Sequence, residues 1–168
     1  MATPNQVPPL PEADEFYMSL ALKEAQLAAA QGEVPVGCVL VDPSGEVIGT
    51  GHNLTISTHD PTAHAEVVAL RDAGLRLGNY RLPNLQMFVT LEPCLMCVGA
   101  IIHSRLLRLC YGTADPRTGA CGSVFSLINA KEHNHALIVC SGILQEECAS
   151  LLHLFFKARR QKKADFPE

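Results

Sequence analysis

Strand-like and helix-like segments alternate along nearly the whole of this 168-residue chain, and few architectures accept that order. Residues 13–31 are rich in Ala, Leu, Glu and Lys and stop before Gly32, which predicts a first helix. "PVGCVLVD" is an apolar, β-branched run closed by the turn "PSG". "EVIGTGHN" follows as a second strand, so the pair predicts a hairpin. Residues 53–62 read as loop, and a helix is expected from 63 to about 76. "LQMFVTLE" predicts a buried strand, Pro93 opens a short helix to about 103, and "LLRLCYG" predicts another strand. Residues 113–133 read as a long loop with a short helix inside it, and loops of that length in compact domains are usually functional. "HALIVCSG" predicts a fifth strand and "LQEECASLLHLFFKARRQKK" a terminal helix. Helices between strands require crossovers that cover both faces of a sheet. The expected fold is therefore a three-layer α/β/α sandwich around a mixed five-stranded sheet. Its first strand pair is antiparallel and much of the rest parallel.

There is no internal repeat and no domain boundary. The sequence predicts a flexible proline-rich segment over 1–14, one domain over 15–163 and a short tail over 164–168. A hydrophobic content of 48% suits one substantial core. No apolar run is long enough to span a bilayer, so no membrane role is expected. The N-terminal residues lack a basic-then-apolar signal pattern, and the seven cysteines then suit a reducing, cytoplasmic setting. The net charge of −4 argues against an unspecific nucleic-acid binder. A nucleic-acid partner would have to be held locally, and Lys157, Arg159, Arg160, Lys162 and Lys163 supply one basic patch.

Two short motifs carry chemistry. In "HDPTAHAEVVAL", His64 and Glu66 stand two positions apart where a helix begins. In "TLEPCLMCVGA", Cys94 and Cys97 follow Pro93 at the start of another helix. Residues three apart share a helix face, and the positive end of the helix dipole favours the thiolates that zinc binds. In an open α/β sheet such helix starts gather beside the carboxyl ends of strands. His64, Cys94 and Cys97 can thus meet at one point as three zinc ligands, which leaves a fourth position for water. Zinc lowers the pKa of bound water to about 7, and a neighbouring carboxylate such as Glu66 can move its proton. Two plainer arrangements compete: buried core cysteines beside a first-turn acid, or a structural zinc with His59 or His103 as fourth ligand. Cys38, Cys110 and Cys140 fall in predicted strands and read as core.

An H-x-E motif followed by P-C-x-x-C is the signature of zinc nucleobase deaminases. "EVPVGCVLV", "NYRL", "VTLEPCLMC", "IIHSR" and "DPRTGACGS" extend the likeness, and the chain resembles the bacterial tRNA-specific adenosine deaminases from about residue 15 to 161. The resemblance implies a cytidine-deaminase-like fold and conversion of adenosine to inosine at the wobble position of a tRNA anticodon. It implies one zinc ion per subunit on His64, Cys94 and Cys97, with Glu66 as the proton shuttle to ring N1 and then to the leaving ammonia. It further implies that Asn53 hydrogen-bonds the flipped base. Asp115, Arg117, Phe156 and Arg160 would contact the tRNA anticodon loop. The family is homodimeric, and "LMCVGAIIHSR" is the segment expected at that surface, although its apolar residues fit a core equally well. Arg117 stands where lysine is common, and Cys121 where a smaller residue is usual. Two other functions share the zinc motif: a deaminase of free guanine, cytosine or a nucleoside, and a non-catalytic zinc-stabilised RNA-binding subunit.

Overall fold

The computed structural model describes residues 11–165. In chain order the elements are α1 (Pro11–Ala30), β1 (Gly37–Val41), β2 (Val47–His52), α2 (Ala65–Leu77), β3 (Gln86–Leu91), α3 (Leu95–Ser104), β4 (Arg108–Thr113), β5 (Ile138–Ser141) and α4 (Gln145–Asp165). The sheet order is β2-β1-β3-β4-β5. β1 runs antiparallel to both β2 and β3, while β3, β4 and β5 are mutually parallel. This is the mixed five-stranded sheet expected from the alternating pattern.

Period-two alternation divides each inner strand between two cores. Cys38, Leu40, Met87, Val89 and Leu109 enter one cluster with Ala65, Ala69 and Ile101 of α2 and α3. Val39, Val41, Phe88 and Cys110 enter another with Met18 and Ala21 of α1 and Cys148 of α4. Helices therefore cover both faces, two on each, and the three-layer sandwich follows. Helix α2 lies unusually close to the sheet. A Cβ added at Gly51 would sit 2.5 Å from the Ala65 carbonyl oxygen, and one at Gly49 would sit 2.6 Å from that of Ala69. Glycines on β2 and alanines at 65, 69 and 73 thus form one seam, which sets the height of the N-terminus of α2 above the strand ends.

Three expectations need correction. Helix α1 begins at Pro11, so residues 11–14 are not a flexible lead-in. Asp14 there accepts two hydrogen bonds from Arg108, at 2.7 and 2.6 Å, and Arg108 is itself buried. Residues 1–10 of the predicted lead-in lie outside the described residues. Residues 164 and 165 of the predicted tail continue α4, and 166–168 are likewise outside. The segment 113–133 contains no helix; turns and two isolated bridges, Cys94 with Gly119 and Cys121 with Ser126, organise it instead. Its Gly, Pro and Asp residues favour turns over propagated helix.

Removing one partner of a buried ion pair strands the other charge. Asp14→Ala is therefore expected to cost about 3–5 kcal/mol of stability, read as the shift in urea-unfolding midpoint. A loss under about 1 kcal/mol, typical of exposed pairs, would show that water reaches Arg108.

Candidate active site

His64 and Cys94 occupy equivalent local positions. Each is the N-cap of a crossover helix, α2 or α3, with extended backbone, and neither uses its side chain to cap the helix. Cys97 lies one turn into α3. Pro93 precedes the cap rather than opening the first helical turn, a displacement of one or two positions from the expectation. The two helix starts stand side by side at the carboxyl ends of β2 and β3, and β3 carries Pro93 and Cys94 at its exit.

Cys94 Sγ lies 3.6 Å and Cys97 Sγ 3.5 Å from His64 Nδ1. The three donor atoms all fall within 4.8 Å of one another. Zn–S bonds of about 2.3 Å and Zn–N bonds of about 2.0–2.1 Å in a tetrahedron place sulfur and nitrogen about 3.6 Å apart. The donor set therefore fits zinc in both chemistry and spacing. His59 and His103, the alternative fourth ligands, are exposed and belong to no donor cluster among the described residues. His59 instead occupies a turn with φ of 53°.

The electrostatics are those of a thiolate site. A hydrogen bond with Cys97, joined by contact with His64, pulls the Cys94 thiol down to about 4. The same contact with Cys94, with burial, pushes Cys97 upward. His64 is raised, chiefly by its contact with Cys94. Glu66 is buried, and that burial lifts its carboxyl to about 7. A carboxyl poised near neutrality can both accept and return a proton.

Asn53 is buried and spans the gap between β2 and α2. Its Oδ1 accepts a hydrogen bond of 2.9 Å from the Ala65 N–H. It thus does the capping that His64 does not do, and its Nδ2 has no partner among the described residues. A cleft of about 220 Å³ is lined by Asn53, His64, Glu66 and Cys94 together with Val36 and Thr55. It shares Val34, Leu91, Asp115 and Thr118 with a groove of about 690 Å³, which continues past Arg117 to Phe156 and Arg160. Eight of the nine predicted site residues therefore line the cleft or the groove that adjoins it, and the ninth, Cys97, is buried. Phe156 is 40% exposed, at odds with the core position its type alone suggests. Asp115 folds back on its own loop: its carboxylate accepts from the N–H of Arg117 at 2.9 Å and from the hydroxyl of Thr118 at 2.6 Å.

Two further residues shape the depression and escaped the sequence reading. Glu33, fully buried, accepts from the N–H groups of Ile56 at 3.0 Å and Ser57 at 2.7 Å. It ties down the loop that follows Asn53. Burial alone would raise its pKa, but these bonds outweigh that and hold it below the ordinary value. Glu92 does the equivalent for the segment after β4. The available signal was an acidic residue ending the otherwise apolar run "LQMFVTLE", where a buried strand has no need of charge.

Comparison with known proteins agrees with this geometry. The family model for the cytidine and deoxycytidylate deaminase zinc-binding region matches residues 11–113. The tRNA-specific adenosine deaminase of Haemophilus influenzae is 52% identical over 152 residues, which is 90% of this chain and 88% of that protein. The tRNA-specific adenosine deaminase of Bacillus subtilis is 43% identical over 150 residues, 89% of this chain and 92% of that protein. A solved structure from a study of A-to-I editing by tRNA:A34 deaminases superposes with a TM-score of 0.79 at 44% identity, covering 82% of this chain and 99% of that one. With the zinc-spaced triangle and its buried glutamate in the matched region, the chain belongs to the cytidine and deoxycytidylate deaminase family and, within it, to the tRNA-specific adenosine deaminases.

Proposed function

We propose that this protein hydrolyses adenosine to inosine and ammonia at the wobble position of a tRNA anticodon, with one zinc ion per subunit held by His64, Cys94 and Cys97. The observation that carries the proposal is the junction of two depressions. A small cleft over the donor triangle opens into a groove walled by Arg117, Phe156 and Arg160.

When bound, zinc supplies Lewis-acid activation of water. The protein supplies the rest. Glu66 takes a proton from the attacking water at its carboxylate and delivers it to ring N1 of adenine. It then helps protonate the departing amino group, so that water and adenosine become inosine and ammonia. Asn53, its Oδ1 fixed by Ala65, has Nδ2 free to donate to the flipped base. Val34, Val36 and Leu91 give that base apolar walls. The cleft admits little beyond a base, so the flanking nucleotides must lie in the larger groove, where a single-stranded loop is easiest to splay. Phe156 offers a stacking face, and Arg117 and Arg160 meet phosphates. The acidic total charge is no obstacle, because Arg160, within the basic end of α4, lines this groove.

The working form is a homodimer in the cytoplasm. Support comes from an apolar groove of about 820 Å³ between α2 and α3, bordered by Leu70, Leu75, Tyr80, Ala100 and His103. Leu75 and Tyr80 are 85% and 72% exposed there, and apolar residues grouped in one exposed patch mark an interaction surface. Light scattering on the purified protein is expected to give twice the 18.1 kDa of one chain. A mass of 18.1 kDa at micromolar concentration would contradict the dimer. The cytoplasmic setting fits seven cysteines of which none is paired in a disulfide.

Sequencing tRNA from cells depleted of the protein tests the reaction itself. Wobble inosine is expected to revert to adenosine in at least one tRNA. Unchanged inosine at every wobble position would exclude the proposal.

A further inference from the structure

Glu92 sits immediately before Pro93 and Cys94 and is 2% exposed. It has no ion-pair partner among the described residues. Its two oxygens accept instead from four donors: the N–H groups of Asp115 at 3.0 Å, Cys121 at 2.9 Å and Ser123 at 3.1 Å, and the Ser123 hydroxyl. Gly119 completes the enclosure, for an added Cβ would stand 2.5 Å from the carboxyl carbon and from Oε2. The same loop is stitched to the metal segment directly. The Ala120 N–H donates to the Pro93 carbonyl at 2.9 Å, and Gly119 forms a bridge with Cys94.

Although Glu92 borders the cleft over the donor triangle, its acceptor capacity is already taken up, so it is poorly placed to act as a base toward substrate. What it controls is the loop. Asp115 and Thr118 line both depressions, and Arg117 lines the groove. A carboxylate with several charge-assisted hydrogen bonds to backbone is a strong local fastener. Here it fastens the groove wall to the strand exit that carries Cys94.

We propose that Glu92 is a positioning residue for the nucleic-acid substrate, which locks the segment 113–126 to the metal-binding segment 92–94 and so fixes Asp115 and Arg117 relative to the reacting base. The proposal rests on the RNA reading above. It separates two effects that a general structural role would merge: the order of the loop, and the integrity of a metal site whose ligands lie at the starts of α2 and α3.

The test uses full-length zinc-loaded protein and a fluorescein-labelled anticodon stem-loop. Glu92→Gln keeps the shape but turns one acceptor into a donor that faces N–H groups. Gly119→Ala keeps Glu92 but crowds both its carboxyl group, at 2.5 Å, and the Asp115 carbonyl oxygen, at 2.6 Å, and so shows what displacing the loop does with Glu92 in place. Both are expected to raise amide hydrogen exchange over 114–126 by about 10-fold or more, with β3 and β4 unchanged. Zinc should remain at one ion per chain. Stem-loop affinity should weaken about 10-fold, while the single-turnover rate at saturating RNA falls less than about 3-fold. Unchanged exchange or unchanged affinity overturns the proposal. So does loss of zinc, or a slowed saturating rate with normal affinity, since either would place Glu92 in the metal site. Should Glu92→Gln not fold, Gly119→Ala and Ser123→Ala are judged by the same criteria. If wild-type protein fails to bind the stem-loop, the RNA reading falls, and the exchange measurement alone decides whether Glu92 locks the loop.

Discussion

Glu66→Ala is expected to abolish inosine formation, lowering kcat/KM by at least about 10³-fold, while zinc content and fold are kept. General acid–base catalysis is typically worth about 10²–10⁴-fold, and this one carboxylate is asked to act at both proton transfers. The fold should not suffer. Burial raises Glu66 to about 7, so its charged form is disfavoured where it sits. Under the proposed mechanism it is kept there for chemistry, at some cost in stability. Glu66→Gln, which retains the volume and removes the charge, should therefore melt at or above the wild-type temperature and be equally inactive. Metal analysis and mass spectrometry of digested RNA read both outcomes. Retained activity in either variant would remove Glu66 from the mechanism, and loss of zinc would make it a metal residue.

His64→Ala is expected to lose zinc, from about one ion per chain to near none, and with it all activity. The donor triangle spans two helices: His64 caps α2, and both cysteines belong to the start of α3. Zinc is thus a cross-link between the helices as well as a cofactor, and it stabilises the folded state in proportion to its occupancy. At a thousandfold excess over Kd the linkage is worth about 4 kcal/mol, or about 8–16 °C for a chain of this size. Wild-type protein should show a fall of that order when treated with a chelator. His64→Ala should start lower and show no response. A variant that still holds one zinc would mean that another donor replaces His64. A wild-type melting temperature indifferent to chelation would mean that the triangle does not clamp the helices.

The layered fold and the metal site were legible in the sequence for the same reason. Both depend on short-range patterns: period-two strands such as "GCVLV", helix starts marked by Pro93 and the "PTAH" turn, and ligands that sit on those starts. Asn53 was legible only through family resemblance. Its role as an outside cap for α2 depends on a hydrogen bond to Ala65, a contact that no local pattern encodes. The loop after β4 is not helical, because Glu92, more than twenty positions away, supplies the hydrogen bonds that order it, and no local pattern encodes them. Long-range polar contacts with buried carboxylates are what local reading leaves out here. Glu33 and Glu92 are two such carboxylates, and each holds a loop beside the cleft.

A cleft that takes a flipped adenine while the groove holds the rest of an anticodon loop should distinguish RNA from free bases and nucleosides. Purified zinc-loaded protein should be given an anticodon stem-loop with adenosine at the wobble position, beside free adenosine, cytidine and guanine. Inosine is expected at the wobble position of the RNA, with negligible turnover of the free compounds. Turnover of a free base or nucleoside with no inosine in the RNA would contradict this.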